Sequence, residues 1–256
     1  MTSRAVLQRV LLACMGLALV AGGAAAPAQA ADSSPLAGKV IVVDPGHNLG
    51  NANPRFRAQL AQTRFNGAIV KGCNTTGTAT NAGYPEATMA WNVGRRLRDL
   101  LEQAGATVVM TRTRNAADAW GPCVWTRAQI ANDAKADAMV SIHGDGAPAS
   151  SHGFFALAPV RIPGWTANDV PASRALARAM VKGMTGAGAT PSTAFRDAIM
   201  DSRDTTSLNL SARPTVTIEM GNMRNARDAA LMSSPAGQEQ MAQWLFAGLQ
   251  EYFRGR

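Results

Sequence analysis

Histidine and cysteine are both scarce in this 256-residue chain, at three each, and aromatic residues make up only 5% of it. Beyond the first thirty residues no apolar run is long enough to span a bilayer. There is no HExxH, no phosphate-loop glycine pattern, no internal repeat and no low-complexity tract. These absences narrow the field. Basic residues outnumber acidic ones, 25 to 17, yet they are scattered with few aromatics among them, which excludes a nucleic-acid platform. Any metal chemistry must be assembled from residues distant in sequence, because no local metal motif exists.

The first thirty residues stand apart. Arg4 and Arg9 flank the start of an apolar core, VLLACMGLALVAGG, and AQA at 28–30 suits cleavage after Ala30. The pattern predicts a secretory signal rather than a membrane span. It has no twin-arginine pair, and Cys14 lies too early in the apolar run for a lipoprotein box. Cleavage leaves 23 basic against 17 acidic residues, a net charge of +6. Such a charge suits an anionic wall or envelope surface and equally keeps the protein in solution. Cleavage also leaves two cysteines, Cys73 and Cys123. Two thiols in an oxidising compartment predict one disulfide. The protein is therefore expected in the periplasm, in the cell wall or secreted.

After a short polar lead-in at 31–38, strands and helices alternate through 39–256. KVIVVDP reads as a buried strand stopped by Pro45. A Gly/Asn/Thr-rich loop from Asn48 to about Tyr84 follows, long enough to be functional. PEATMAWNVGRRLRDLLEQAG predicts a helix, with Pro85 at its start, Gly105 past its end, and an apolar stripe of Met89, Val93, Leu97, Leu100 and Leu101. ATVVMTR predicts a strand, and TRAQIANDAKA a helix capped by Thr126. DAMVSIHG and GFFALAP are strands, and PASRALARAMVKGM is a helix. A short strand near Ile199, a late strand TVTIEMG and two closing helices near 225–232 and 235–253 complete the chain. The fold expected is a single three-layer α/β domain with a mostly parallel central sheet flanked by helices.

Polar residues recur at the strand ends. His47 follows the first strand, His143 follows MVSI, and Glu219 follows TVTI, while Glu86 opens the first long helix. Ligands of open α/β sheets bind at the carboxyl ends of strands. Two imidazoles and a carboxylate are the ligand set of a catalytic zinc site, with a fourth position left for water. A second carboxylate off the metal can carry the proton from water to the leaving group. Two glutamates are candidates for these two roles. His152, in PASSHGFF, reads as a surface or groove residue. Asp44 either orients His47 or shapes the turn, and Asp145 stands in the same relation to His143. A zinc carboxypeptidase and a wall-binding module without activity are the rival readings.

IVVDPGHN, PEATMAWNVGRRLRDLLEQAGATVVMTRT, TRAQIANDAKADAMVSIHGD and RPTVTIEMGNMRN together resemble the zinc-dependent N-acetylmuramoyl-L-alanine amidases of the amidase-3 type, from about Lys39 to Tyr252. The resemblance implies zinc as cofactor, held by His47, Glu86 and His143, with Glu219 as the catalytic carboxylate. It implies cleavage of the amide between N-acetylmuramic acid and the L-alanine of the stem peptide. The implied partners are peptidoglycan fragments or the cell wall, met by a monomer with no transmembrane span in the mature chain. Two positions depart from the family pattern. Asn222 stands where phenylalanine usually follows the late glycine, and Gly144 stands where alanine usually follows the second histidine. Both flank the inferred site and bear on the shape of its groove.

Overall fold

The computed structural model describes residues 34–256, apart from 166 and 255. The predicted signal segment 1–30 and Cys14 lie outside the described residues. The lead-in is not simply polar: Leu36 is fully buried, and the Gly38 N–H donates to the Gly105 carbonyl at 2.9 Å.

A six-stranded sheet forms the centre. Its strands are β1 (Val40–Pro45), β4 (Thr107–Met110), β5 (Ala138–Asp145), β6 (Phe155–Pro159), β7 (Ile199–Ser202) and β8 (Thr215–Asn222), in the order β4-β1-β5-β8-β6-β7. Every pairing is parallel except β6 with β8. The helices are α1 (Arg57–Leu60), α2 (Glu86–Gln103), α3 (Val124–Asp133), α4 (Val170–Gly186), α5 (Thr206–Leu210), α6 (Ala226–Ser233) and α7 (Pro235–Phe253). This is the expected three-layer α/β domain with a mostly parallel sheet.

Strand alternation divides the apolar residues between the two faces. Ile41, Val43, Val140, Ile142, Val216 and Ile218 enter one large core with α2, α4 and α7. Val42 and Met139 pack with Ala131 of α3, and Phe155 and Leu157 pack with Leu208 of α5. Parity then places Asp44, Ser141, His143, Thr217 and Glu219 on the second, thinner face, toward its carboxyl end. The chain leaves β1 through α2 on one face and returns to β5 through α3 on the other. The crevice beyond the ends of β1 and β5 is thus a switch point of an open α/β sheet.

Three local features differ from the sequence expectation. The loop from Asn48 to Tyr84 is not structureless: it holds two 3₁₀ turns, α1 and a hairpin of β2 (Thr63–Phe65) with β3 (Val70–Gly72). α3 begins at Val124, so Thr126 lies inside it and caps nothing. The first free N–H, that of Val124, is taken by the Cys73 carbonyl at 2.8 Å, which replaces a side-chain cap. The five-residue α5 was too short to leave an apolar period in the sequence.

Cys73 and Cys123 are joined by a disulfide 50 residues apart in sequence, which ties the end of the hairpin to the start of α3. The chain-entropy model gives a loop of this size about 4 kcal/mol of stabilisation. Reduction, or Cys73→Ser with Cys123→Ser, should lower the unfolding free energy by about that amount. Thiol labelling of denatured, unreduced protein should find no reactive cysteine at 73 or 123. Two reactive thiols there would remove the bond from the fold.

Candidate active site

His47, Glu86 and His143 come from three separate elements and meet at one point. Glu86 opens α2 but is 3% exposed. Its Oε1 lies 3.1 Å from His47 Nε2 and 2.9 Å from His143 Nδ1, and also accepts the Gly144 N–H at 3.2 Å. Its Oε2 accepts the Thr78 N–H at 2.8 Å. One potential ligand atom from each of the three residues falls within a 4.8 Å set. Burial alone pushes the Glu86 carboxyl up, but the two imidazoles outweigh it and hold the group well below the usual carboxylate range.

His47 has a left-handed backbone with φ 56, which is uncommon for a residue with a Cβ. Two guanidinium groups hold the chain around it. Pro45 O accepts from Arg112 Nε at 2.9 Å and from Arg127 Nη1 at 2.8 Å. Gly46 O accepts from Arg112 Nη2 at 3.2 Å, and His47 O accepts from Arg127 Nη2 at 2.9 Å. Glycine is required beside this turn: a Cβ on Gly46 would run into the His143 ring, and one on Gly77 would come within 2.6 Å of Glu86 Oε2.

Across the His47 ring, Nδ1 lies 3.0 Å from the Thr75 carbonyl, which can only accept, and 3.2 Å from the Thr75 hydroxyl, which can accept or donate. With its hydrogen on Nδ1 alone, the ring presents a lone pair at Nε2 to Glu86 Oε1, 3.1 Å away, and that arrangement suits a cation; with a hydrogen on Nε2 it donates to the carboxylate instead. A tetrahedral zinc with bonds of about 2.0 Å has edges of roughly 3.3 Å, close to the 3.1 and 2.9 Å separations here. Oxygen from carboxylate and nitrogen from imidazole are the donors zinc takes.

Glu219 is not in this cluster. It pairs in register with His143 across β5 and β8 and lines the same cleft. The residue as a whole is part-exposed, but Oε2 is shut off from solvent and has no hydrogen-bond partner among the described residues. Burial, then the charges of Glu86 and Asp145, push its carboxyl well above the usual range. The cleft holds about 280 Å³, bounded also by Lys71, Thr75, Arg127, Thr206 and Thr217.

His143 and Glu219 lie near the carboxyl ends of β5 and β8, within the strands expected at DAMVSIHG and TVTIEMG. Other expectations shift. Asp44 does not contact the His47 side chain. It is buried, accepting from Thr111 Oγ1 (2.5 Å), Ser141 Oγ (2.6 Å) and Arg127 Nη1 (2.6 Å), and so acts on His47 only through Arg127. Asp145 caps its own turn through the Gly146 N–H at 2.7 Å. His152 is exposed and apart from the cluster. Arg112, Arg127 and Thr75 carried no sequence signal beyond the charge or hydroxyl that any surface residue offers.

A buried carboxylate between two imidazoles, with a second carboxylate unpaired beside them at a sheet switch point, defines a candidate metallohydrolase site. A family model described as N-acetylmuramoyl-L-alanine amidase matches residues 41–251. The chain is 36% identical to N-acetylmuramoyl-L-alanine amidase Rv3717 of Mycobacterium tuberculosis over 215 residues, covering 84% of this chain and 86% of that protein. The crystal structure of the N-acetylmuramyl-L-alanine amidase Ami1 from Mycobacterium smegmatis superposes with a TM-score of 0.79 at 34% identity, over 86% of this chain and 99% of that one. Ami1 from Mycobacterium abscessus gives 0.76 at 38%, over 84% and 99%. The chain belongs to the N-acetylmuramoyl-L-alanine amidase family, the peptidoglycan amidases.

The Asp44 network has a testable pH signature. Burial pushes its carboxyl up, but Arg127, Ser141 and Thr111 outweigh burial and hold it below the ordinary 3.8. A carboxyl lower in the folded than in the unfolded chain stabilises fully above about pH 4, and that stability drains as pH falls toward the folded value. Asp44→Asn leaves Arg127 unpaired and should cost about 3–5 kcal/mol at neutral pH. Urea unfolding should show this difference narrowing below pH ~4. A difference that stays constant through the acid range would remove Asp44 from this role.

Proposed function

We propose that this chain is an exported, zinc-dependent amidase that hydrolyses the bond between the lactyl carbonyl of N-acetylmuramic acid and the L-alanine nitrogen of the stem peptide. Residues 1–30 serve as the signal peptide and 31–38 as the lead-in, while 39–256 form the catalytic domain, acting as a monomer in the periplasm, in the wall or outside it. The disulfide supports an oxidising compartment. No helix among the described residues is long and apolar enough to cross a membrane.

The observation that carries the reading is that His47, Glu86 and His143, from three separate elements, bring one potential metal-ligand atom each within a 4.8 Å set. His47, Glu86 and His143 would hold zinc, which when bound supplies a Lewis acid for the scissile carbonyl and lowers the pKa of water. The remaining work falls to the chain. Thr75 fixes the His47 ring through Nδ1. Thr78 and Gly144 hold the Glu86 carboxylate from both sides with backbone N–H groups. Glu219, unpaired at Oε2, takes a proton from the attacking water and returns it to the alanine nitrogen as the C–N bond breaks.

The two glutamates separate by experiment. Glu219→Gln keeps shape but removes the proton carrier. It should retain one zinc per chain while turnover falls roughly 100- to 10,000-fold, the range typical of a general acid–base group. His143→Ala and Glu86→Gln should lose zinc itself. Metal content is measured alongside mass spectrometry of the muropeptide products, where a free L-alanine amino group marks the cleaved bond. A metal-free Glu219→Gln with zinc-replete, inactive Glu86→Gln would exchange the two roles.

A further inference from the structure

Besides the histidines, the basic residues lining the catalytic cleft are Arg127 and Lys71. Arg127 is committed to the fold. Its side chain is 3% exposed, and its nitrogens are bonded to Asp44 Oδ1 and to the carbonyls of Pro45, Pro122 and His47. Lys71, on β3, is different. Its side chain is 39% exposed, and Nζ lies 3.2 Å from Oδ2 of Asp204, whose side chain is 55% exposed. An ammonium has three N–H groups, so two remain after that contact. Arg64, the cross-strand partner of Lys71, shares its face of the hairpin but does not line the cleft.

The Lys71–Asp204 pair is not what fastens the hairpin. Asn66 is fully buried; its Nδ2 donates to Asp204 O at 2.9 Å and to Thr206 Oγ1 at 3.2 Å, and its Oδ1 accepts from Ala68 N and Ile69 N. Cys73 closes the other end of the hairpin with its disulfide. An ion pair exposed on both sides adds little to stability in water. Asn66 and the disulfide therefore hold the lysine at the cleft, and its charge stays available to a ligand.

We infer that Lys71 is a specificity-determining residue that receives a carboxylate on the residue following L-alanine, so that stems bearing a free acid there are preferred over the amide; this rests on the amidase reading of the cleft. At about 280 Å³ the cleft is at the small end of binding sites. That size suits the scissile amide and its immediate neighbours rather than a length of polymer. Successive Cα atoms are only about 3.8 Å apart, so the residue after L-alanine still meets the cleft wall. The sugar side has no carboxylate left to offer, because the lactyl group is itself part of the amide. Apart from the two basic residues and the histidines, the ionisable side chains of the wall are Asp44, Asp204 and Glu219, all acids. A carboxylate entering there needs a cation, and Lys71 is the one with donors to spare. As a compact charge on a flexible stem with three donors, its ammonium can hold Asp204 and a second carboxylate together.

The test uses the intact protein and two soluble muramoyl-L-alanyl peptides. They differ only in the residue after L-alanine, which carries a free carboxylate in one and the carboxamide in the other. The parent should favour the acid about tenfold in kcat/KM, the order expected of one charge-assisted hydrogen bond. Lys71→Met should bring that ratio to about one by raising KM for the acid, and Lys71→Arg should restore it. Zinc content and melting temperature, measured alongside, report that the site is intact. Asp204→Asn removes the ion pair but leaves the ammonium, so the preference should persist or grow. The inference is overturned if the parent cleaves both peptides equally well or if Lys71→Met keeps the preference. It is also overturned if Asp204→Asn loses the preference as Lys71→Met does, which would make the ion pair a clasp. Failure of the parent to cleave either peptide would overturn the amidase reading instead, while equilibrium binding of the two peptides would still decide the role of Lys71.

Discussion

The site depends on a left-handed turn at His47. A non-glycine residue held in that region costs of order 1–3 kcal/mol, and the turn must persist for Nε2 to face Glu86. Hydrogen bonds from charged donors contribute about 1.5–3 kcal/mol each, and two guanidinium groups supply four of them to three successive carbonyls. The balance favours the turn. Arg127 is anchored by Asp44 and sits one helical turn from Cys123, so the disulfide, α3 and the end of β1 are one mechanical unit. Removing a guanidinium would release the backbone before it disturbed any side chain of the triad.

Much of this arrangement was legible because sheet parity is short-ranged. An apolar run followed by histidine or glutamate places the polar residue at the carboxyl end of a strand, whichever neighbours that strand takes. Glu86 was legible for a similar reason, since Pro85 and the stripe through Met89, Val93 and Leu97 define where α2 starts. The supports were not legible. Arg112 and Arg127 look like ordinary surface cations until the fold places them beside carbonyls more than sixty residues earlier in the chain. Thr75 lies in a polar loop where one threonine resembles the next. The hairpin escaped because three-residue strands carry no countable alternation, and it is held by Asn66 and a disulfide rather than by an apolar face.

Asn222 and Gly144, the two departures from the family pattern, affect the walls more than the chemistry. Asn222 is buried, and its amide donates to Pro148 O and Ser151 O at 2.9 Å each while accepting from Arg224 N. Asn225 adds a bond to Ala149 O at 2.8 Å. A phenylalanine at 222 could make none of the Asn222 side-chain bonds, and the 148–151 carbonyls would need other partners. The asparagine thus straps the loop after β5 against the end of β8. Gly144 donates its N–H to Glu86, and a Cβ there would press on Met223 and Met89 at 3.1 Å. A methyl at 144 would therefore crowd the floor beneath the site before it reached Glu86.

Two inversions of the usual distribution of residues lie within this one region. Charged side chains that normally meet water, Asp44, Glu86, Arg112 and Arg127, are buried to 5% exposure or less. Apolar side chains that normally leave water, Phe65, Ile69 and Val70, are exposed. Each inversion works against stability taken alone. The buried charges are compensated by one another and by backbone carbonyls, which is why the charged interior can be rigid. Trp165 meets part of the exposed apolar face, edge-on to Phe65 at 6.1 Å. The buried charges hold the chain around His47 through its carbonyls, whereas the hairpin's apolar side chains take no part in holding the site.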